Sequence, residues 1–146
     1  MTKFSRTELI EAPPEQVFDF VTNQENLPKW SPEVVRSEVV GGRPIEAGAK
    51  LRQVRRQGGR QMTNEVEVVA HNRPSRHAVK ARIMGVDASF AFDFAPEGAG
   101  TRVRFACEMD AHGVAKLWAG YIARMVEKTD DKRLANLKTA IASAKN

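Results

Sequence analysis

The chain has one cysteine, one tyrosine, two tryptophans and three histidines in 146 residues, and aromatics make up only 7% of it. A single cysteine excludes an internal disulfide framework and any Cys-rich metal cluster, and it fits a reducing compartment. Cys107 shares the apolar side of Val103, Phe105 and Met109, a position that suits buried filler better than a nucleophile. No stretch approaches the roughly 20 apolar residues of a membrane-spanning helix. The opening Met1-Thr2-Lys3-Phe4-Ser5-Arg6 enters a strand-like pattern without the apolar run of a secretory leader, so a cytoplasmic location is expected.

Chemistry-bearing motifs are scarce as well. His71, His77 and His112 lack the short mutual spacings of metal ligands, so no metal is expected. Gly58-Gly59 and Gly98-Ala99-Gly100 read as turns rather than as a phosphate-binding loop, and nothing in the pattern calls for a cofactor. The formal net charge of +5 raises the question of an anionic partner. Arg52, Arg55, Arg56 and Arg60 flank one turn, and Lys80, Arg82, Arg102 and Arg104 lie on later strands, but Glu65, Glu67, Asp93 and Glu108 fall among them. Opposite charges so placed pair across neighbouring strands. Phe90, Phe92 and Phe94 alternate to the face opposite the polar side chains, which denies nucleic acid a stacking platform beside the positive charge. No nucleic-acid partner is expected.

What is present is a strict change of period. Phe4 to Glu11 reads as a strand ended by Ala12-Pro13-Pro14, and Pro14 suits the first turn of a short helix whose apolar stripe is Val17, Phe18, Phe20 and Val21. Asn23 is placed to cap a second small helix, expected to be broken by Pro28, with Trp30 following. From Glu33 onward the period is two. Turn signals at Gly41-Gly42-Arg43-Pro44, Gly58-Gly59, Asn72-Arg73-Pro74, Gly85 and Pro96 to Gly100 then delimit about seven strands of an antiparallel meander. No linker or repeat interrupts the chain, and its length suits a single domain over residues 1–146.

The alternation assigns an interior face. Met62, Asn64, Val66 and Val68 share one side, as do Val79, Ala81 and Ile83, then Phe90, Phe92 and Phe94, then Val103, Phe105, Cys107 and Met109. A sheet with one apolar face needs a cover. The remaining long element is a C-terminal helix, with Asp110 as its candidate cap and Val114, Leu117, Trp118, Tyr121, Ile122 and Met125 at spacings of three and four. At about 100 degrees per residue, Leu134, Leu137 and Ile141 point in a different direction from that first stripe. The phase changes around Thr129-Asp130-Asp131, which predicts a bend or a second contact surface for the later half.

Ile10-Glu11-Ala12-Pro13-Pro14-Glu15-Gln16-Val17-Phe18-Asp19-Phe20-Val21, followed by Asn26-Leu27-Pro28-Lys29-Trp30, resembles the start of the START-like helix-grip (SRPBCC) superfamily, in particular its polyketide cyclase/dehydrase-like branch. Gly48-Ala49-Lys50-Leu51-Arg52-Gln53-Val54 and the late helix resemble later pieces of the same pattern. The resemblance implies an α+β helix-grip fold: a curved antiparallel sheet of about seven strands wrapped around a long C-terminal helix. It also implies a cavity between them for lipids, polyketides or similar molecules. No catalytic triad comes with it, so fold membership does not decide whether a reaction is catalysed.

Within such a cavity, Phe90, Phe92, Met109 and Met125 offer apolar contact, while each also suits a packed core. Trp30 and Trp118 are candidates for the rim, where an amphipathic ring is partly exposed. Asn64 is an amide on an apolar strand face and needs hydrogen bonds from a ligand, a water or a neighbour such as Tyr121. His77 shares the parity of Val79 and is expected near the rim, His71 is expected to face outward, and His112 to sit where strand meets helix.

Three functions fit this pattern. The first is binding or transport of a hydrophobic small molecule. The second is a cyclase or dehydrase in which Tyr121, Asn64 and His77 polarise a carbonyl or move a proton. The third is a protein-interaction module, and self-association is left open by the sequence.

Overall fold

The computed structural model describes residues 2–57, 59–83, 85–130 and 132–144. Strand β1 (Thr2–Ile10) ends just before Pro13 and Pro14, and helix α1 (Pro14–Thr22) starts with Pro14 in its first turn. The missing N–H of proline costs nothing there. Val17, Phe18 and Val21 form the buried stripe of α1. Asn23 then accepts a hydrogen bond from the Glu25 amide at 3.1 Å, starting a 3-10 turn (Gln24–Asn26) that runs into α2 (Leu27–Trp30). Pro28 does not break this second helix as expected. It occupies the first turn of α2, where its ring is tolerated.

Six further strands follow: β2 (Val34–Val39), β3 (Lys50–Gln57), β4 (Arg60–Asn72), β5 (Arg76–Ile83), β6 (Val86–Glu97) and β7 (Gly100–Ala111). They form one antiparallel seven-stranded sheet in the order β1-β7-β6-β5-β4-β3-β2, so every connection from β2 to β7 joins spatial neighbours. Gly59 takes the left-handed conformation at φ 83° that a tight hairpin requires; Gly58 and Met84, which belong to two of the expected turns, lie outside the described residues. The last hairpin is tighter than expected. Strand β6 continues through Pro96, past the point where β5 pairs with it, and Glu97 is paired with Gly100. A Cβ on Gly100 would stand 2.6 Å from the Ile10 carbonyl oxygen, a distance only glycine accommodates.

The convex face carries cross-strand ion pairs. Glu67 lies between Lys50 (3.4 Å) and Lys80 (3.0 Å), Arg76 meets Asp93 at 2.8 Å, and Arg82 meets Asp87 at 2.9 Å. These neighbours hold the Glu67 and Asp87 carboxyls below their ordinary range, mainly through hydrogen bonds from Lys80 and Arg82. The concave face of β6 and β7 is apolar. Val86, Ala88, Phe92 and Phe94 of β6 and Val103, Phe105, Cys107 and Met109 of β7 join Val17, Phe18, Leu27 and Trp30 in the main core.

The first half of the C-terminal cover departs from the stripe expected over Val114 to Met125. Strand β7 runs through Asp110 to Ala111, a 3-10 turn (Gly113–Leu117) follows, and α3 begins only at Ala119 (Ala119–Asp130). Asp110 therefore caps no helix. The 3-10 turn resets the helical phase, and Val114, Leu117 and Tyr121 are 72%, 85% and 68% exposed, while Ile122, Ala123 and Val126 face the core. The later half forms its own helix, α4 (Arg133–Ala144). It packs against α2 and β1, whereas α3 lies on β7 and the preceding turn. Leu134, Leu137 and Ile141 are buried, so the phase change marks a real division of surfaces; Asp131 itself lies outside the described residues. No helix among the described residues is long and apolar enough to cross a membrane.

Candidate ligand-binding cavity

Between the sheet and the helices lies a cavity of about 200 Å3. Strands β4 to β7 supply Val66, Val79, Ala81, Phe90, Phe92 and Phe105, and the helical side supplies Val21, Leu27, Trp30, Met125 and Val126. Alternation explains the strand contributions, because Phe90 is paired with Val79 and Phe92 with His77, which sets these residues on one face. Trp30 and Phe92 meet edge to face at 5.7 Å, and Phe92 and Phe105 lie 4.9 Å apart. The aromatic wall is thus mutually packed.

A second wall is polar. Leu51, Gln53 and Arg55 alternate inward along β3, and the hairpin register sets Gln53 opposite Asn64 and Arg55 opposite Met62. Gln53 accepts from Arg55 Nη2 at 2.9 Å, and the guanidinium also lies 3.6 Å from Glu33. Arg133, the first residue of α4, donates to Ser31 Oγ at 2.7 Å and to Glu33 Oε1 at 3.3 Å. Its Cζ lies 5.7 Å from the ring centroids of both Trp30 and Phe105, within cation–π reach. Gln24 accepts from Ser37 Oγ at 2.6 Å.

His77 also lines the cavity and is buried. Its partner is His71: the two Nδ1 atoms are 3.2 Å apart, so one ring donates and the other accepts. His71 does not face outward as expected. A bulge between Val68 and Ala70 shifts the β4–β5 register by one residue, which turns His71 to the inner side against Phe18, at 5.1 Å between ring centroids. Burial pushes the His77 pKa down to about 4, with His71 adding to the shift. Burial lowers that of His71 too, opposed by the nearby Asp19 carboxylate. His112 lies at the end of β7, 3.2 Å from Asp87.

Of the residues expected to contact a ligand, Trp30, Asn64, Phe90, Phe92 and Met125 line the cavity, while Met109, Trp118 and Tyr121 do not. Met109 is core, Trp118 is half-buried against that core, and Tyr121 is exposed. Trp30 is not at the rim; it is 2% exposed. The sequence pattern assigned no cavity role to Gln53, Arg55 or Arg133. A signal for the first two existed, since a two-residue hairpin at Gly58-Gly59 dictates which β3 residues oppose Met62 and Asn64. Nothing in the sequence marks Arg133, whose place depends on how α4 meets α2.

A curved antiparallel sheet gripping C-terminal helices around an aromatic-lined cavity defines the START-like helix-grip class. The whole-chain comparison agrees: the family model for polyketide cyclase / dehydrase and lipid transport matches residues 1–142, and the chain belongs to that family. No curated protein sequence matches it. Among solved structures, Ara h 8.0201 superposes with a TM-score of 0.79 at 16% identity, over 97% of this chain and 98% of that one. The di-domain ARO/CYC BexL of the BE-7585A biosynthetic pathway gives 0.81 at 22% identity, over 100% of this chain and 48% of BexL. TTHA0849 from Thermus thermophilus gives 0.74 at 22% identity, over 99% and 100% of the two chains. At these identities the likeness is one of fold.

Proposed function

We propose that this chain, as a single ligand-binding domain over residues 1–146, binds a hydrophobic small molecule, such as a lipid or polyketide, in the cavity between sheet and C-terminal helices. The observation that carries the reading is the cavity wall of Trp30, Phe90, Phe92, Phe105 and Met125. Apolar and aromatic walls with a few placed polar groups are what small-molecule sites present. Trp30, Asn64, Phe90, Phe92 and Met125 are the proposed contacts. The reading includes a cytoplasmic protein without a nucleic-acid partner. Native mass spectrometry of freshly purified protein, followed by solvent extraction, tests it: a co-purifying organic molecule of defined mass is expected. A ligand-free spectrum together with no uptake from a panel of lipids and aromatic polyketides would count against it.

A second reading is favoured by the polar groups that converge on the same cavity. His77, Asn64 and Arg55 border it from adjacent strands, and the neutral His77 imidazole, hydrogen-bonded to His71, can hydrogen-bond a carbonyl of a bound substrate. BexL and StfQ, both described as di-domain ARO/CYC proteins of biosynthetic pathways, share the fold. Turnover of a poly-β-ketone substrate that is lost in His77→Gln, with binding retained, supports a cyclase or dehydrase. Binding without turnover across a substrate panel leaves the carrier role.

A further inference from the structure

Among the described residues, the most exposed large apolar side chains are Val114, Leu117 and Tyr121, all in or next to the turn between β7 and α3. Single exposed hydrophobics are ordinary, but a cluster marks a contact surface. Topology fixes where this cluster lies. In an antiparallel meander alternate turns share one end of the sheet, so the β3–β4 hairpin, the β5–β6 turn and the end of β7 lie together. Ala115 abuts the β5–β6 turn, since a Cβ on Gly85 would stand 3.1 Å from its own. The cavity opens at the same end. Its two exposed lining residues are Met62 of the β3–β4 hairpin and Arg82 near the end of β5, and Met125 of α3 lines it too.

The charge at this end has one sign left over. Arg56 and Arg60 of the β3–β4 hairpin, Lys116 of the 3-10 turn and Arg124 of α3 are exposed, and none of the four has an ion-pair partner among the described residues. The nearby carboxylates are already engaged. Asp87 lies 2.9 Å from Arg82 and 3.2 Å from His112, Asp110 is 3.8 Å from His112, Glu127 is 3.1 Å from Arg6, and Glu33 faces Arg55 and Arg133.

We propose that this end of the molecule docks on the surface of an anionic phospholipid bilayer. Val114, Leu117 and Tyr121 enter the boundary between headgroups and acyl chains, and Arg56, Arg60, Lys116 and Arg124 face lipid phosphates. Apolar side chains ringed by cations suit such an interface, where burial and attraction to anionic lipid add together, and a tyrosine ring is at home at headgroup level. A second copy fits less well, because a symmetric contact would set the same cations against each other. Nucleic acid fits less well too, since Val114 and Leu117 offer no ring for a base to stack on. Docking turns the cavity mouth toward the lipid. That last consequence rests on the cavity being a ligand site; the docking itself does not.

The test is co-sedimentation of the unmodified protein with two kinds of vesicle, phosphatidylcholine alone and phosphatidylcholine mixed with phosphatidylglycerol. Binding to the mixed vesicles is expected to be at least about tenfold stronger and to weaken as salt is added. Lys116→Glu and Arg124→Glu should each cut it about fivefold or more, and Leu117→Asp should cut it to a similar degree. Arg43→Glu makes the same change of charge at an exposed site beyond β2, at the opposite end of the sheet, and should alter binding by less than about twofold. No binding to the mixed vesicles, or equal binding to both kinds, overturns the proposal, and these comparisons need no variant to fold. A loss in Arg43→Glu as large as in Arg124→Glu overturns it as well, by showing attraction without a docking face. Self-association abolished by Leu117→Asp, with no vesicle binding, overturns it in favour of a second copy. None of these failures touches the reading of the cavity, which the native mass spectrum tests separately.

Discussion

His77 joins two facts that bear on stability: it is 5% exposed, and its imidazole is held neutral down to a pKa of about 4. In the unfolded chain the same group titrates near 6.5. The unfolded state therefore binds the proton first as pH falls, so the contribution of His77 to stability is complete above about pH 6.5 and is lost on the way down to about pH 4. The His71–His77 hydrogen bond sharpens this, because two protonated rings have no acceptor between them. Urea midpoints measured at pH 7 and pH 4.5 should show a smaller acid-induced loss for His77→Gln than for the unmodified chain. Equal losses would mean that His77 is already protonated in the native state. Parity along β5 was enough to place His77 inward from the sequence. His71 was misplaced because a bulge inverts every residue beyond it, and no residue type in Val68-Val69-Ala70 announces one.

The C-terminal region is two elements with different duties. In α4, Leu134, Leu137 and Ile141 repeat at spacings of three and four and are buried against α2 and β1. Leu137→Ala should lower unfolding stability by about 2–5 kcal/mol, as removal of a fully buried leucine side chain does. In the turn before α3, Leu117 occupies what would be the same stripe as Ile122 in a continuous helix, yet it is 85% exposed. Leu117→Ser should change stability by less than about 0.5 kcal/mol, and denaturant titration of the two variants distinguishes the positions directly. The division near Asp130 was legible as a change of phase in the hydrophobic repeat. The late start of α3 was not, because Val114-Ala115-Lys116-Leu117-Trp118 satisfies a helical period as well as it satisfies a 3-10 turn, so periodicity does not distinguish them.

For the whole molecule, the sheet and the helices enclose a space instead of closing on each other, so part of the apolar surface has no protein partner. A bound ligand then contributes to folding by mass action, about 2.7 kcal/mol at a hundredfold excess over its dissociation constant. Protein stripped of its extracted compound should melt several degrees lower than the loaded protein, and re-addition should restore the midpoint. A midpoint that does not respond to re-addition would place the extracted compound elsewhere. The ion pairs of the convex face make no comparable contribution, since they are largely exposed and such pairs are worth little in water.

Local rules carried the sequence a long way. Period two with turn residues at regular intervals determined the meander, prolines determined where β1 ends and α1 begins, and alternation determined which side of each strand is apolar. These depend only on neighbours in the chain. The tertiary structure alone decided that Trp30 is buried rather than at the rim, that Tyr121 points to solvent, that His71 meets His77, and that Arg55 and Arg133 border the cavity. Each of those depends on contacts between residues far apart in sequence, such as Arg133 with Ser31 and Glu33, and such distances are set by how elements dock, not by the period of any one of them.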